Sequence, residues 1–173
     1  MGYLGRVVAA IAVAATIGAS RPDADPAMVE AGIGAAYDAQ CTALMRGEVA
    51  AWTATLARDF VPTMTDGTHG TAKTAHDGVA ALLASARITD CRIVPEDISM
   101  LGDDAVAAVA ITMSGTLTDR RSLAVEQHAI DRWTPAGSAW LQKSSTVLEQ
   151  TVTVDGVVVQ HAVKKGAPVP SPT

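Results

Sequence analysis

The chain has 173 residues, 49% of them hydrophobic, and a formal net charge of −5. That is enough apolar material for one domain with its own core, and it excludes an intrinsically disordered chain. An acidic balance with no Lys/Arg cluster argues against nucleic acid or an anionic membrane surface as a partner.

Arg6 precedes an apolar run, Val7 to Gly18, and the small residues Gly18-Ala19-Ser20 follow. This is the layout of a secretory signal peptide over residues 1–20, and the run is short for a membrane span. An uncleaved N-terminal anchor is the alternative. A signal peptide implies a secreted, periplasmic or cell-envelope protein with no stable membrane span after cleavage. Residues 21–27, with two prolines and two aspartates after Arg21, read as a spacer.

From Ala27 to Met45 the pattern predicts a helix, with Val29, Ile33, Tyr37 and Cys41 one turn apart and Leu44 continuing the stripe. Gly47 stops it. A second helix is expected over Glu48 to Ala57, with Trp52 and Leu56 on one side. Asp66-Gly67 predicts the turn of a small hairpin within Val61 to Thr71. Ala75 to Ala86 reads as a third helix with Val79, Leu82 and Leu83 as its apolar face.

Strands follow: Arg92 to Leu101, Ala105 to Thr118, and a hairpin from Ser122 to Leu148 that turns at Thr134-Pro135-Ala136-Gly137-Ser138. The last of these runs on to Val154, and Asp155-Gly156 turns into a further strand, Val157 to Val163. Residues 166–173 contain three prolines and read as a disordered tail. The order predicts an α+β fold in which three N-terminal helices cover one face of a curved antiparallel sheet, leaving a cone open at one end. Such a cone is a natural pocket for a small molecule.

Cys41 and Cys91 are the only cysteines. In an exported chain they can bridge, and two buried free thiols are the equal alternative. With no Cys-x-x-Cys and no converging histidines, the sequence implies no metal, and Gly32-Ile33-Gly34 lacks the strand and third glycine of a dinucleotide loop. No cofactor is expected.

Four landmarks occur in a telling order: Arg46-Gly47-Glu48, the Leu-Ala-x-Asp-Phe phrase at Leu56 to Phe60, the Asp66-Gly67 turn, and Asp131, Trp133, Gly137 and Trp140. In this, the stretch from Met28 to about Thr151 resembles the nuclear transport factor 2-like superfamily, which includes ketosteroid isomerases, SnoaL-like polyketide cyclases and scytalone dehydratase, and a domain over residues 28–165 is expected. The resemblance implies the cone-shaped roll and a pocket at its open end. Ketosteroid isomerases use an aspartate base with an oxyanion hole of tyrosine and protonated aspartate. Asp131 stands where that protonated acid falls. The base position holds Met64, and the tyrosine position holds Gln40, with Tyr37 one turn earlier, so steroid isomerisation by that route is not implied.

With the register set by the resemblance, Val125, Gln127, Ala129, Asp131 and Trp133 face the pocket, and Glu126, His128, Ile130 and Arg132 face away. On the partner strand Trp140, Gln142, Ser144, Thr146 and Leu148 are expected inside. Pocket-lining residues are then Gln40, Trp52, Phe60, Met64, Gln127, Trp133, Gln142 and Ser144, with Asp131 and Tyr37 as the candidate catalytic groups. Asp131 in a dry pocket acts as acid or hydrogen-bond donor; paired to an arginine it is structural. His69 and His76 are expected to be solvent-exposed, and His128 to lie on the outer face. The expected function is binding of a small, largely apolar molecule with no or weak catalysis. The alternatives are a cofactor-free isomerase, dehydratase or cyclase, and a homodimeric interaction module pairing through the outer sheet face.

Overall fold

The computed structural model of the chain describes residues 25–166. The expected signal peptide, most of the spacer and all but the first residue of the expected tail lie outside the described residues. Helix α1 (Pro26–Arg46) starts one residue earlier than its periodicity predicts. The Asp25 side chain accepts from Ala27 N at 3.0 Å and Pro26 stands in the first turn, where a missing N–H costs nothing. Gly47, at φ 73°, ends it in the left-handed conformation that glycine adopts without strain.

The second helix is shorter than expected. α2 (Val49–Thr53) stops because Thr53 and Thr55 turn their hydroxyls onto the carbonyls of Val49 and Trp52. Gln142 N then draws the Thr55 carbonyl into the sheet. Leu56, expected on that helix, opens strand β1 (Leu56–Thr63) instead. The predicted small hairpin is reduced to the Asp66-Gly67 turn and one bridge, Thr63 to His69, since β1 finds its main partner elsewhere. α3 (Ala72–Ser85) begins three residues earlier than read, behind a capping box between Thr71 and Thr74.

Five strands complete the sheet: β2 (Ala86–Leu101), β3 (Asp104–Leu117), β4 (Ser122–Ala136), β5 (Ala139–Val154) and β6 (Val157–Val163). The order is β1-β5-β4-β3-β2. β1 and β6 share one edge of β5, β1 along Gln142 to Thr146 and β6 along Glu149 to Val154. Every pairing is antiparallel except β1–β5, which is parallel. Pro95 lies on the edge strand β2 beside a register shift, where a missing ladder donor is tolerated.

Two core clusters bracket the inner face. Near one end, Val29, Ile33 and Tyr37 of α1 pack on Ala105, Ala107, Val109, Ala129 and Trp133. The alanines let the helix approach the sheet and leave room for the large indole. At the other end Ala86, Ile88, Leu123 and Val125 pack together with Leu82 and Leu83 of α3. Cys41 of α1 and Cys91 of β2 form a disulfide with Cα atoms 5.3 Å apart, tying the helix to the edge strand. No described helix is long and apolar enough to cross a membrane.

Candidate functional site

Asp131 lies on the inward face of β4 and is 1% exposed. Its Oδ2 accepts a hydrogen bond from Tyr37 Oη at 2.8 Å, and Tyr37 Oη accepts in turn from Trp133 Nε1 at 3.0 Å. The two rings meet edge to face, with centroids 4.8 Å apart. The phenol is therefore locked as a donor toward the carboxylate. Asp131 Oδ1 is buried and makes no hydrogen bond of good geometry among the described residues, although the Ser145 and Gln142 side chains lie near enough to favour the charged carboxyl. Burial pushes the Asp131 carboxyl up to about 6, against the opposing pull of Ser145, Tyr37 and Gln142, whose side chains favour the charged form. Burial, and then the charge on Asp131, push the Tyr37 phenol well above its ordinary range, so it holds its proton. The arginine next in sequence does not neutralise the acid. Arg132 points to the outer face and meets Asp104 Oδ2 at 2.7 Å.

Asp131 borders a cavity of about 670 Å³ between the two core clusters. Leu44, Trp52, Phe60, Pro62, Val79, Leu82, Ile93, Ile111, Met113 and Val147 give its wall a mainly apolar character. The exposed residues Met64, Thr68, His69 and Thr74 mark its mouth, between the Asp66-Gly67 turn and the start of α3. The polar groups inside are few. Gln40 Nε2 donates to Gln142 Oε1 at 2.9 Å and to Thr55 Oγ1 at 3.0 Å. Gln127 Oε1 accepts from Gln150 Nε2 at 3.0 Å.

Of the residues expected at the pocket, the structure brings Gln40, Trp52, Phe60, Met64, Gln127, Gln142 and Asp131 together around this cavity. Three stand elsewhere. Trp133 is fully buried behind Asp131, where its indole is spent on Tyr37. Tyr37 reaches the cavity only through the carboxyl it holds. Ser144 is on the outer face, opposite Arg132, because the β4–β5 register shifts between Arg132 and Trp133. That bulge puts Ser145 opposite Asp131 and Val147 opposite Ala129, and a second shift between His128 and Ala129 puts Gln150 opposite Gln127. Strict alternation therefore misplaces Ser144, Thr146 and Leu148, and misses Ser145, Val147 and Gln150. The run Lys143-Ser144-Ser145 carries no local signal for a bulge.

His69 is exposed as expected, yet it also lines the mouth, with Nδ1 2.9 Å from Thr63 Oγ1. His76 is only half-exposed, because Thr53 Oγ1 lies 2.9 Å from its Nδ1. His128 is on the outer face, 3.9 Å from Glu96. No three His, Cys, Asp or Glu side chains converge as a metal site among the described residues.

No family model matches the chain, and no curated protein matches it in sequence. Solved structures do. A conserved protein from Planctomyces limnophilus aligns over 73% of this chain and 97% of its own, at 12% identity and a TM-score of 0.64. A nuclear transport factor 2-like protein from Cytophaga hutchinsonii aligns over 68% and 95%, at 16% identity and a TM-score of 0.51. The chain has the nuclear transport factor 2-like fold. A type 2 hexachlorocyclohexane dehydrochlorinase shares this fold, at 11% identity over 83% of this chain and 94% of its own, with a TM-score of 0.55. Within the nuclear transport factor 2-like cone, the described chain holds one dry carboxyl with a free oxygen, oriented from behind by a tyrosine. Such a group can donate a hydrogen bond when protonated, accept one when charged, or pass a proton to a bound molecule.

Proposed function

We propose that this is an exported domain that binds a small, largely apolar molecule in the cone, gripping one oxygen of it through Asp131. The observation that carries the reading is the buried Oδ1 without a partner on Asp131, a residue that lines a mainly apolar cavity of about 670 Å³. An unpaired buried polar atom costs roughly 1–3 kcal/mol, a cost removed by a bound hydroxyl, or by a carbonyl when the carboxyl is protonated. The volume is in the range of pockets that enclose a drug-sized ligand. Export is supported by the N-terminal sequence pattern at residues 1–20.

Calorimetric titration with 4-hydroxybiphenyl, a neutral apolar probe with one hydroxyl, tests the reading. The protein should bind it, and Asp131→Ala should weaken binding by about tenfold. Equal affinity in the variant would remove Asp131 from the site.

A second reading is a cofactor-free isomerase, dehydratase or cyclase with Asp131 as acid. It is favoured by the Tyr37–Asp131 pair and by a histidine, His69, on the wall of the same cavity. Such an enzyme should exchange solvent deuterium into the carbon beside the carbonyl of a bound ketone, and Asp131→Asn should abolish the exchange. An unchanged exchange rate in that variant would end this reading.

A further inference from the structure

Three successive cross-strand rows between β4 and β5 run under the cavity, Asp131 with Ser145, Ala129 with Val147, and Gln127 with Gln150, and all of these but Ala129 line it. The rows run polar, apolar, polar. Asp131 and Gln127 are four residues apart on one strand, so their Cα atoms stand about 13 Å apart. Each outer row ends in a polar atom that no described protein group uses. At one end this is Asp131 Oδ1. At the other it is Gln127 Nε2, because the amides form a directed ladder. Gln160 of β6 donates to Gln150 Oε1 at 3.3 Å, and Gln150 donates to Gln127 Oε1 at 3.0 Å. The ladder fixes Gln127 with its oxygen occupied and its N–H groups left over, and Gln127 lines the cavity.

From this arrangement we infer that the ligand is an elongated, neutral molecule with an oxygen at each end. One oxygen meets Asp131, the other accepts from Gln127, and an apolar middle lies over Val147. The inference rests on the ligand-binding reading and gives that ligand its chemical class. Neutrality follows from the wall. No Lys or Arg lines the cavity, and its only carboxyl is Asp131, so apart from His69 at the mouth an anionic end group would find no countercharge. A simple fatty acid or a purely hydrocarbon ligand does not fit this pattern. A rigid rod with a hydroxyl or carbonyl at both tips does.

Calorimetry with three matched rods reads the pattern: 4-hydroxybiphenyl, 4,4′-dihydroxybiphenyl and 4′-hydroxybiphenyl-4-carboxylate. The dihydroxy rod should bind about tenfold tighter than the monohydroxy rod, and the carboxylate more weakly than either. Gln127→Leu should bring the ratio between the two neutral rods close to one. Gln127→Glu, which keeps an acceptor for Gln150 but removes the donors, should do the same. A ratio near one in the unsubstituted protein, a ratio unmoved by both variants, or tightest binding of the carboxylate would each overturn the inference. Absence of binding by the monohydroxy rod would instead sink the ligand-binding reading beneath it.

Discussion

Asp131 is held in a state that a free aspartate would not choose, and its cost should be visible in stability. Its folded carboxyl titrates near 6, against 3.8 for the ordinary group. Below pH ~3 both folded and unfolded chains carry the proton and no penalty applies. As pH rises from 4 through 6, the unfolded chain releases the proton first, and stability contributed by this group is lost. The shift of about 2 units corresponds to roughly 3 kcal/mol. Urea unfolding of Asp131→Asn beside the unsubstituted protein should therefore show the balance moving toward the variant by about that amount between pH 4 and pH 6.5. A constant difference would mean that Asp131 does not titrate abnormally. Tyr37→Phe makes the complementary case. It removes a hydrogen bond that favours the carboxylate, so carboxyl-carbon NMR should find Asp131 titrating higher than in the unsubstituted protein. It also strands the Trp133 indole N–H, at a cost of about 1–3 kcal/mol.

Among the elements, β5 decides the composition of the site, and it was the least legible part of the sequence. Period-two alternation placed β4 correctly, from Gln127 to Trp133, because β4 has no internal irregularity against β3. The same rule failed on β5, where two bulges reset the inward face. Those bulges arise from pairing with strands on both sides, information that a local stretch such as Lys143-Ser144-Ser145 does not hold. The expected second helix ran too long for a similar reason, since Leu56 and Ala57 belong to β1, the parallel neighbour of β5. By contrast α1 was legible, since Gly47 and the four-residue stripe are local signals. Gly115 shows how tightly the strands are fitted. A Cβ there would run into the Arg87 carbonyl oxygen, beside the register shift between Ile88 and Asp90. Gly115→Ala should cost about 2–4 kcal/mol, read as a lowered urea midpoint. An unchanged midpoint would show that β2 can move aside.

At the scale of the molecule, the disulfide and the sheet share the task of holding α1. Cys41 and Cys91 are 50 residues apart, and closing a loop of that size contributes roughly 4 kcal/mol to stability in the chain-entropy account. Substituting both cysteines by alanine should lower stability by about that much in a denaturant titration. A loss well under 1 kcal/mol would mean that the helix is held by packing alone.

The hydrogen bonds that define the site join residues far apart in the chain. Tyr37 to Asp131 spans 94 positions, Trp133 to Tyr37 spans 96, and Gln40 to Gln142 spans 102. During synthesis the first helix thus emerges long before the strands that give its polar residues their partners. Until β4 is made Tyr37 lacks Asp131 and Trp133, and until β5 is made Gln40 lacks Gln142; chains dominated by such distant pairings fold slowly. The wall of the cavity is then among the last features the nascent protein acquires, and a chain cut short after β4 lacks Gln142, Ser145, Val147 and Gln150 altogether.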